Sequence, residues 1–357
     1  MSSHRTRRRL ARSIIWPALL AAAALTTPAG VATQSPPLAD PASPLVIGAR
    51  SYSPMVENVD AVMAFYARLG LKTPPPAQGS SYPWDTEEWH YDLHGGQAPR
   101  SQMRFTYANV PGAVPPATPL LVEPVEHREI DRQPRAMRVQ DPGASTLVLL
   151  VRDLDAAAMR LPESSRQPVR RVTVYGGAAK AMGVTIPGAH LVELLQLDPI
   201  PPTTAAPDAN VIGAWVRVTV DSLDRTLSLY RDRFGLPFQE IAVSNAAFGG
   251  LISAPDARLR LAAATLPGTR MKLEFLEATG VDRRPLAARI QDPGAARLQF
   301  TVRNLDQALD ALRRAGPSTV VSSGGRIITQ PQYRVAVVSD LNGLFLVLTD
   351  RPAAAVK

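Results

Sequence analysis

One phrase is written twice in this chain, and the offset of 291 − 140 = 151 residues constrains the fold more than anything else. Arg138-Val139-Gln140-Asp141-Pro142-Gly143-Ala144 leads into Thr146–Val151 and then Asp153-Leu154-Asp155. Arg289-Ile290-Gln291-Asp292-Pro293-Gly294-Ala295 leads, without a gap, into Arg297–Val302 and then Asn304-Leu305-Asp306. Asp-Pro-Gly is turn chemistry: Asp bonds its own backbone, Pro fixes φ and Gly permits φ > 0. The β-branched and apolar run after it predicts a strand, and the polar residue before Leu-Asp predicts a helix N-cap. A turn, strand and capped helix repeated at domain-sized spacing means an internal duplication.

A second such unit opens each half. Asn58-Val59-Asp60 begins a helix whose apolar residues Val59, Val62, Met63, Phe65, Tyr66 and Leu69 recur at spacings of three and four, closed by Gly70. Ser222-Leu223-Asp224 does the same through Leu227, Leu229, Tyr230 and Phe234 to Gly235. Short alternating runs follow every helix, among them Trp89–Leu93, Gln102–Tyr107, Phe238–Val243, Leu259–Ala264 and Met271–Leu276. The chain therefore holds four strand–helix–strands modules, two in each half. The Pro-rich stretch 199–209 links residues 44–198 to residues 210–351, and 352–357 are a tail.

Residues 1–32 read as a signal peptide. Arg5, Arg7, Arg8, Arg9 and Arg12 precede the apolar run Ile14–Leu25, and the small residues Gly30-Val31-Ala32 follow. The arginines fit a Sec or a twin-arginine signal, and residues 33–43 form a tether. Removing five arginines lowers the formal charge from +8 to 8 − 5 = +3, which takes away the main support for nucleic-acid binding. No Cys is present, so disulfides, thiolate metal sites and a lipid-modified Cys anchor are excluded. The expectation is a periplasmic or secreted protein without a stable membrane anchor, a monomer or homodimer.

The fourfold pattern resembles the vicinal oxygen chelate superfamily, which includes glyoxalase I, extradiol dioxygenases and bleomycin-resistance proteins. The phrases that carry it are Val218-Thr219-Val220 with Leu223-Asp224 and Leu229-Tyr230; Phe300-Thr301-Val302 with Leu305-Asp306; and Met271–Leu276. Pro187–Leu194 and Asp340-Leu341-Asn342-Gly343 complete it. The resemblance implies an α+β fold of two tandem domains. Each would be a pair of βαβββ modules forming a curved mixed sheet with helices on its convex face. It also implies metal-ligand positions: Ser51, Glu123, Thr146 and Glu193 in the first half, and Trp215, Glu274, Arg297 and Val347 in the second. The family's histidines are missing from both sets, so no metal cofactor is expected. If a divalent metal ion is held after all, Glu123 and Glu193 are the candidates.

Strand alternation puts Trp215, Arg217 and Thr219 on the concave face with Lys272, Glu274, Arg297, Gln299 and Thr301. Phe345 and Val347 join them, while Val216, Val218, Leu273, Phe275, Leu298 and Phe300 turn toward the helices. The candidate ligand-binding residues are Trp215, Arg217, Lys272, Glu274, Arg297 and Gln299, a set suited to an aromatic or carboxylated small molecule. Trp84–His94 gathers aromatics, acids and two histidines, and reads as an exposed hairpin. Tyr66 and Tyr230 are expected in the core, and Glu126 and Glu277 as solvated strand ends. Two functions follow from the resemblance: a metal-free, exported small-molecule binder of the bleomycin-resistance type, or a metal-dependent lyase or dioxygenase with its site in the first half.

Overall fold

Four polar residues, Asn58, Asp153, Ser222 and Asn304, each accept a hydrogen bond from the backbone amide three residues on, so each of these four α-helices starts at its predicted cap. A computed structural model describes residues 44–75, 82, 84, 102–112, 120–186, 190–243, 256–322 and 325–351. The signal peptide, tether and tail, the strand expected at Trp89–Leu93, and all of the Trp84–His94 stretch but Trp84 lie outside these residues.

The first module runs β1 (Val46–Pro54), α1 (Val59–Arg68), β2 (Gln102–Phe105), β3 (Ala108–Asn109), β4 (Leu121–Val122) and β5 (Val125–Arg128). The second has β6 (Ser145–Val151), α2 (Leu154–Met159), β7 (Arg170–Val174), β8 (Gly177–Thr185) and β9 (Leu191–Asp198). The third comprises β10 (Val211–Val220), α3 (Leu223–Tyr230), β11 (Gln239–Ile241), β12 (Arg258–Thr265) and β13 (Lys272–Thr279). The fourth comprises β14 (Ala296–Val302), α4 (Leu305–Ala315), β15 (Ile328–Gln330), β16 (Tyr333–Ser339) and β17 (Phe345–Asp350).

A four-residue clasp recurs in all four modules. The first helical amide donates to a side chain near the end of the module: Val59 to Glu126 at 2.9 Å, Leu154 to Gln196 at 2.9 Å, Leu223 to Glu277 at 3.3 Å and Leu305 to Asp350 at 2.9 Å. Opposite each acceptor in the strand pairing stands a cation: Arg104, Lys180, Arg260 and Arg334. Each cation also reaches the acid at the second helical position, Asp60, Asp155, Asp224 and Asp306, at 2.7–3.2 Å. The helix N-terminus, with its orphan amides and positive dipole end, is thereby tied to the sheet. Glu126 and Glu277 are thus structural partners rather than free strand ends.

The sheets do not divide along the two halves of the sequence. Of the two large sheets, one has the order β15-β16-β17-β14-β1-β4-β3 and the other β11-β12-β13-β10-β6-β9-β8-β7, while β2 and β5 pair as a separate two-stranded sheet. β1 pairs antiparallel with β14, and β6 with β10, so the first module shares a sheet with the fourth and the second with the third. The α+β class and the curved mixed sheets are as expected, but the pairing is not sequential. All four opening strands carry the same alternation, so pattern alone does not choose among their partners.

Val216, Val218, Leu273, Phe275, Leu298 and Phe300 face the helices and pack with Tyr66, Leu227, Tyr230 and Leu309 in the main core. Each fully buried side chain of this size contributes about 1.5–3 kcal/mol. Tyr66 and Tyr230 are fully buried, and their hydroxyls meet His190 Nε2 at 2.7 Å and Asp340 at 2.8 Å. The opposite faces hold smaller clusters, one around Val148, Leu261 and Trp215, the other around Met103, Val125 and Phe345. Function is to be sought on those faces.

Candidate functional site

On the concave face of the eight-stranded sheet, Arg217 joins two carboxylates. It projects from β10, with Glu274 beside it on β13 and Thr146 on β6. Its Nε donates to Glu274 at 2.8 Å, its Nη1 to Glu193 of β9 at 2.7 Å and its Nη2 to Glu193 at 3.3 Å. Arg217 is 1% exposed and both acids are buried. Burial by itself lowers the guanidinium, but Glu193 and Glu274 more than offset this and hold it above its ordinary value. The second oxygen of Glu274 accepts from the Tyr175 hydroxyl at 2.5 Å.

Tyr175 gave no signal in the sequence beyond its neighbour Gly176. Both form the two-residue turn between β7 and β8, and both have positive φ, 55° and 73°, as a type I′ hairpin requires. A bulky residue there is uncommon and strained. Its side chain compensates by bonding Glu274 and by an edge contact with Trp215 at 5.1 Å between centroids. Burial, with Glu274 next, raises the phenol, so it stays a donor at neutral pH.

Beyond this ring pair opens a cavity of about 730 Å³, walled by Leu120, Leu150, Leu197 and Ile212 as well as Tyr175 and Trp215. The Lys272 ammonium lies at its edge, 3.7 Å from the Tyr175 centroid and 4.8 Å from that of Trp215. Both are cation–π distances. Burial lowers the Lys272 amine, opposed by Glu274. Arg270 also lines the cavity, and none of its described lining residues is acidic. A space with apolar walls and two cations suits an anion with an apolar body.

The seven-stranded sheet has a different centre. Arg297 on β14 faces Ser53 on β1, and Ser53 donates to Glu123 at 3.2 Å. Ser51 donates to Gln299 at 3.3 Å. Arg297 is 8% exposed, its Nε has no hydrogen-bond partner among the described residues, and burial, opposed by Glu123, lowers its pKa to about 10. The six expected ligand-binding residues therefore separate: Trp215, Arg217, Lys272 and Glu274 on one sheet, Arg297 and Gln299 on the other. Glu123 follows β4 beside the seven-stranded sheet and Glu193 lies on β9 of the eight-stranded one, so they do not form one metal site.

Neither centre fits a divalent ion as it stands. Arg217 takes up the two carboxylates of the first, and a fixed positive charge repels a metal. The second has one carboxylate, a buried arginine and Val347 beside Gln299 on β17. Among the described residues, no group of three His, Asp or Glu comes together as a metal cluster.

The sequence profile of the Glyoxalase/Bleomycin resistance protein/Dioxygenase superfamily matches residues 213–343. Glyoxalase I from Zea mays is similar over 85% of this chain and 92% of its own, with a TM-score of 0.50 at 15% identity. A point mutant of that maize enzyme gives 0.51 at 16% over the same shares. A dioxygenase-like protein from Bacillus subtilis gives 0.48 at 12%, over 87% of each chain. No curated protein matches by sequence. The architecture is that of the vicinal oxygen chelate proteins, with both halves included. Residues 213–343 belong to the glyoxalase, bleomycin-resistance and dioxygenase superfamily.

Proposed function

We propose that this protein binds a small anionic molecule with an aromatic or apolar body, without the metal on which many members of the fold rely. The observation that carries this reading is the Lys272 ammonium. It sits over the Tyr175 and Trp215 rings at the edge of a cavity whose described lining has no acid. Among the described residues this ammonium makes no hydrogen bond or salt bridge, which leaves its donors for a carboxylate, and a charge-assisted bond contributes about 1.5–3 kcal/mol. The apolar walls would take the ligand body, and the rings an aromatic group, edge or face. We further propose export, on the basic and apolar segments of residues 1–32; N-terminal sequencing of the protein recovered from outside the cytoplasm would test it.

The test is titration calorimetry, followed also by Trp fluorescence, with aromatic carboxylates of increasing size and their primary amides. Each carboxylate should bind at least about tenfold more tightly than its amide. Equal affinities, or no binding by any pair, would refute the reading.

A further inference from the structure

Arg217 stands among oxygen donors whose only salt bridges among the described residues are to it, with the Lys272 ammonium acting on Glu274 from farther off. Glu193 and Glu274 approach it from the strands β9 and β13, Tyr175 bonds the far oxygen of Glu274, and Thr146 is its neighbour on β6. Four oxygen-bearing side chains thus gather around one guanidinium, from four different segments. Their charges are two negatives against one positive. Taking the guanidinium away would leave two buried carboxylates unpaired, and buried like charges need a counter-ion.

We infer that Arg217 is a tethered substitute for a divalent cation, and that deleting its side chain opens a hard-cation site on Glu193 and Glu274. All the donors are oxygens, a set that suits Mn²⁺ or Mg²⁺ rather than soft metals. Arg217 orients the pocket through a short path. It fixes Glu274, which holds Tyr175, and the Tyr175 ring carries Lys272. An ion in the same place would fix Glu274 as Arg217 does, so metal should restore what the deletion loosens. This inference concerns the centre behind the cavity and does not depend on which ligand the cavity takes.

The experiment is Mn²⁺ titration of the mature protein without organic ligand, read by electron paramagnetic resonance, for wild type, Arg217→Ala and Arg217→Ala/Glu193→Gln. Wild type should show no stoichiometric site. Arg217→Ala should bind one Mn²⁺ at least about 100-fold more tightly, and its melting temperature should rise with Mn²⁺ and fall in EDTA. The double variant should lose the site. Should Arg217→Ala be insoluble with and without Mn²⁺, Arg217→Gln, which fills most of the space without charge, takes its place under the same criteria. A wild-type site that Glu193→Gln abolishes would overturn the inference, as would a folded neutral variant that binds no more tightly than wild type. Neither result depends on the carboxylate–amide comparison, so the two ideas fail separately.

Discussion

The carboxylate of Asp292 accepts a hydrogen bond from the backbone amide of Gln133 at 2.9 Å, across 159 residues of sequence. Asp141 does the same for Arg284 at 2.8 Å, and both members of the two pairs differ by 151 (292 − 141 and 284 − 133). Each Asp also holds the Arg three residues before it, Arg289 or Arg138. Gly143 and Gly294 follow at φ 91° and 102°, and a Cβ on Gly143 would come within 2.8 Å of the Asn342 carbonyl. The duplicated turn therefore clasps each half of the chain to a loop of the other.

Asp292→Ala should destabilise the protein by about 2–4 kcal/mol, because Asp292 is fully buried and its loss leaves the backbone amides of Gln133 and Arg289 without their acceptor, while the Arg289 guanidinium keeps Asp131. The exposed pair Arg313–Asp310 is the control: Arg313→Ala should cost below about 1 kcal/mol. Urea unfolding compares them, and equal losses would contradict the clasp.

Asp350→Ala should remove about 2–3 kcal/mol, combining a lost amide acceptor at Leu305 with a lost partner for Arg334. Hydrogen exchange should show the first turn of α4 opening ahead of the rest. Protection there equal to wild type would argue against the clasp as a helix anchor.

Glu274→Leu alone leaves Arg217 short of one partner in a dry site, and about 3–5 kcal/mol should be lost. The triple variant Arg217→Met/Glu193→Leu/Glu274→Leu buries no charge and should lose less than that single substitution. A triple variant no more stable than Glu274→Leu would mean that the ion pairs exceed their desolvation penalty.

His127 and His190 are buried, and burial lowers both to a pKa of about 3, with Arg297 and Arg132 adding to the effect at His127. The folded protein keeps them neutral, whereas the unfolded chain protonates them below about 6.5. Protons therefore favour unfolding, and stability should fall as pH drops from about 6.5 toward 3, by up to about 1.4 kcal/mol per pH unit for each histidine. Denaturation at a series of pH values checks this, and His190→Gln should flatten the slope.

Lys272→Met should weaken carboxylate binding by about 10- to 100-fold while changing stability little, since the half-buried ammonium makes no salt bridge with a described residue. Unchanged affinity in calorimetry would place the anion elsewhere.

The helices were legible in the sequence because their caps are local: Asn58, Asp153, Ser222 and Asn304 act within one turn. The facing of Val216, Phe275 and Phe300 was legible too, since alternation fixes it. Arg217 was readable as a concave-face residue but not as an ion-pair centre, because Glu193 reaches it from the other half of the sequence. The clasp cations Arg104, Lys180, Arg260 and Arg334 were missed, although a cation on a middle strand opposite an acceptor near the module end was available as a signal. Loops of unequal length blur its spacing: 260 − 104 is 156 and 334 − 180 is 154. Tyr175 was hidden because a tyrosine at a turn does not announce a partner 99 residues away.

Val46 finds its place beside Val302, 302 − 46 = 256 residues later. A ribosome must therefore make most of the chain before β1 can pair with β14, while β6 can meet β10 much sooner. Such contact order favours slow folding, with the second and third modules docking first and the opening strand waiting. A chain cut short before β14 would carry β1 without that partner, a bare edge open to the wrong neighbour.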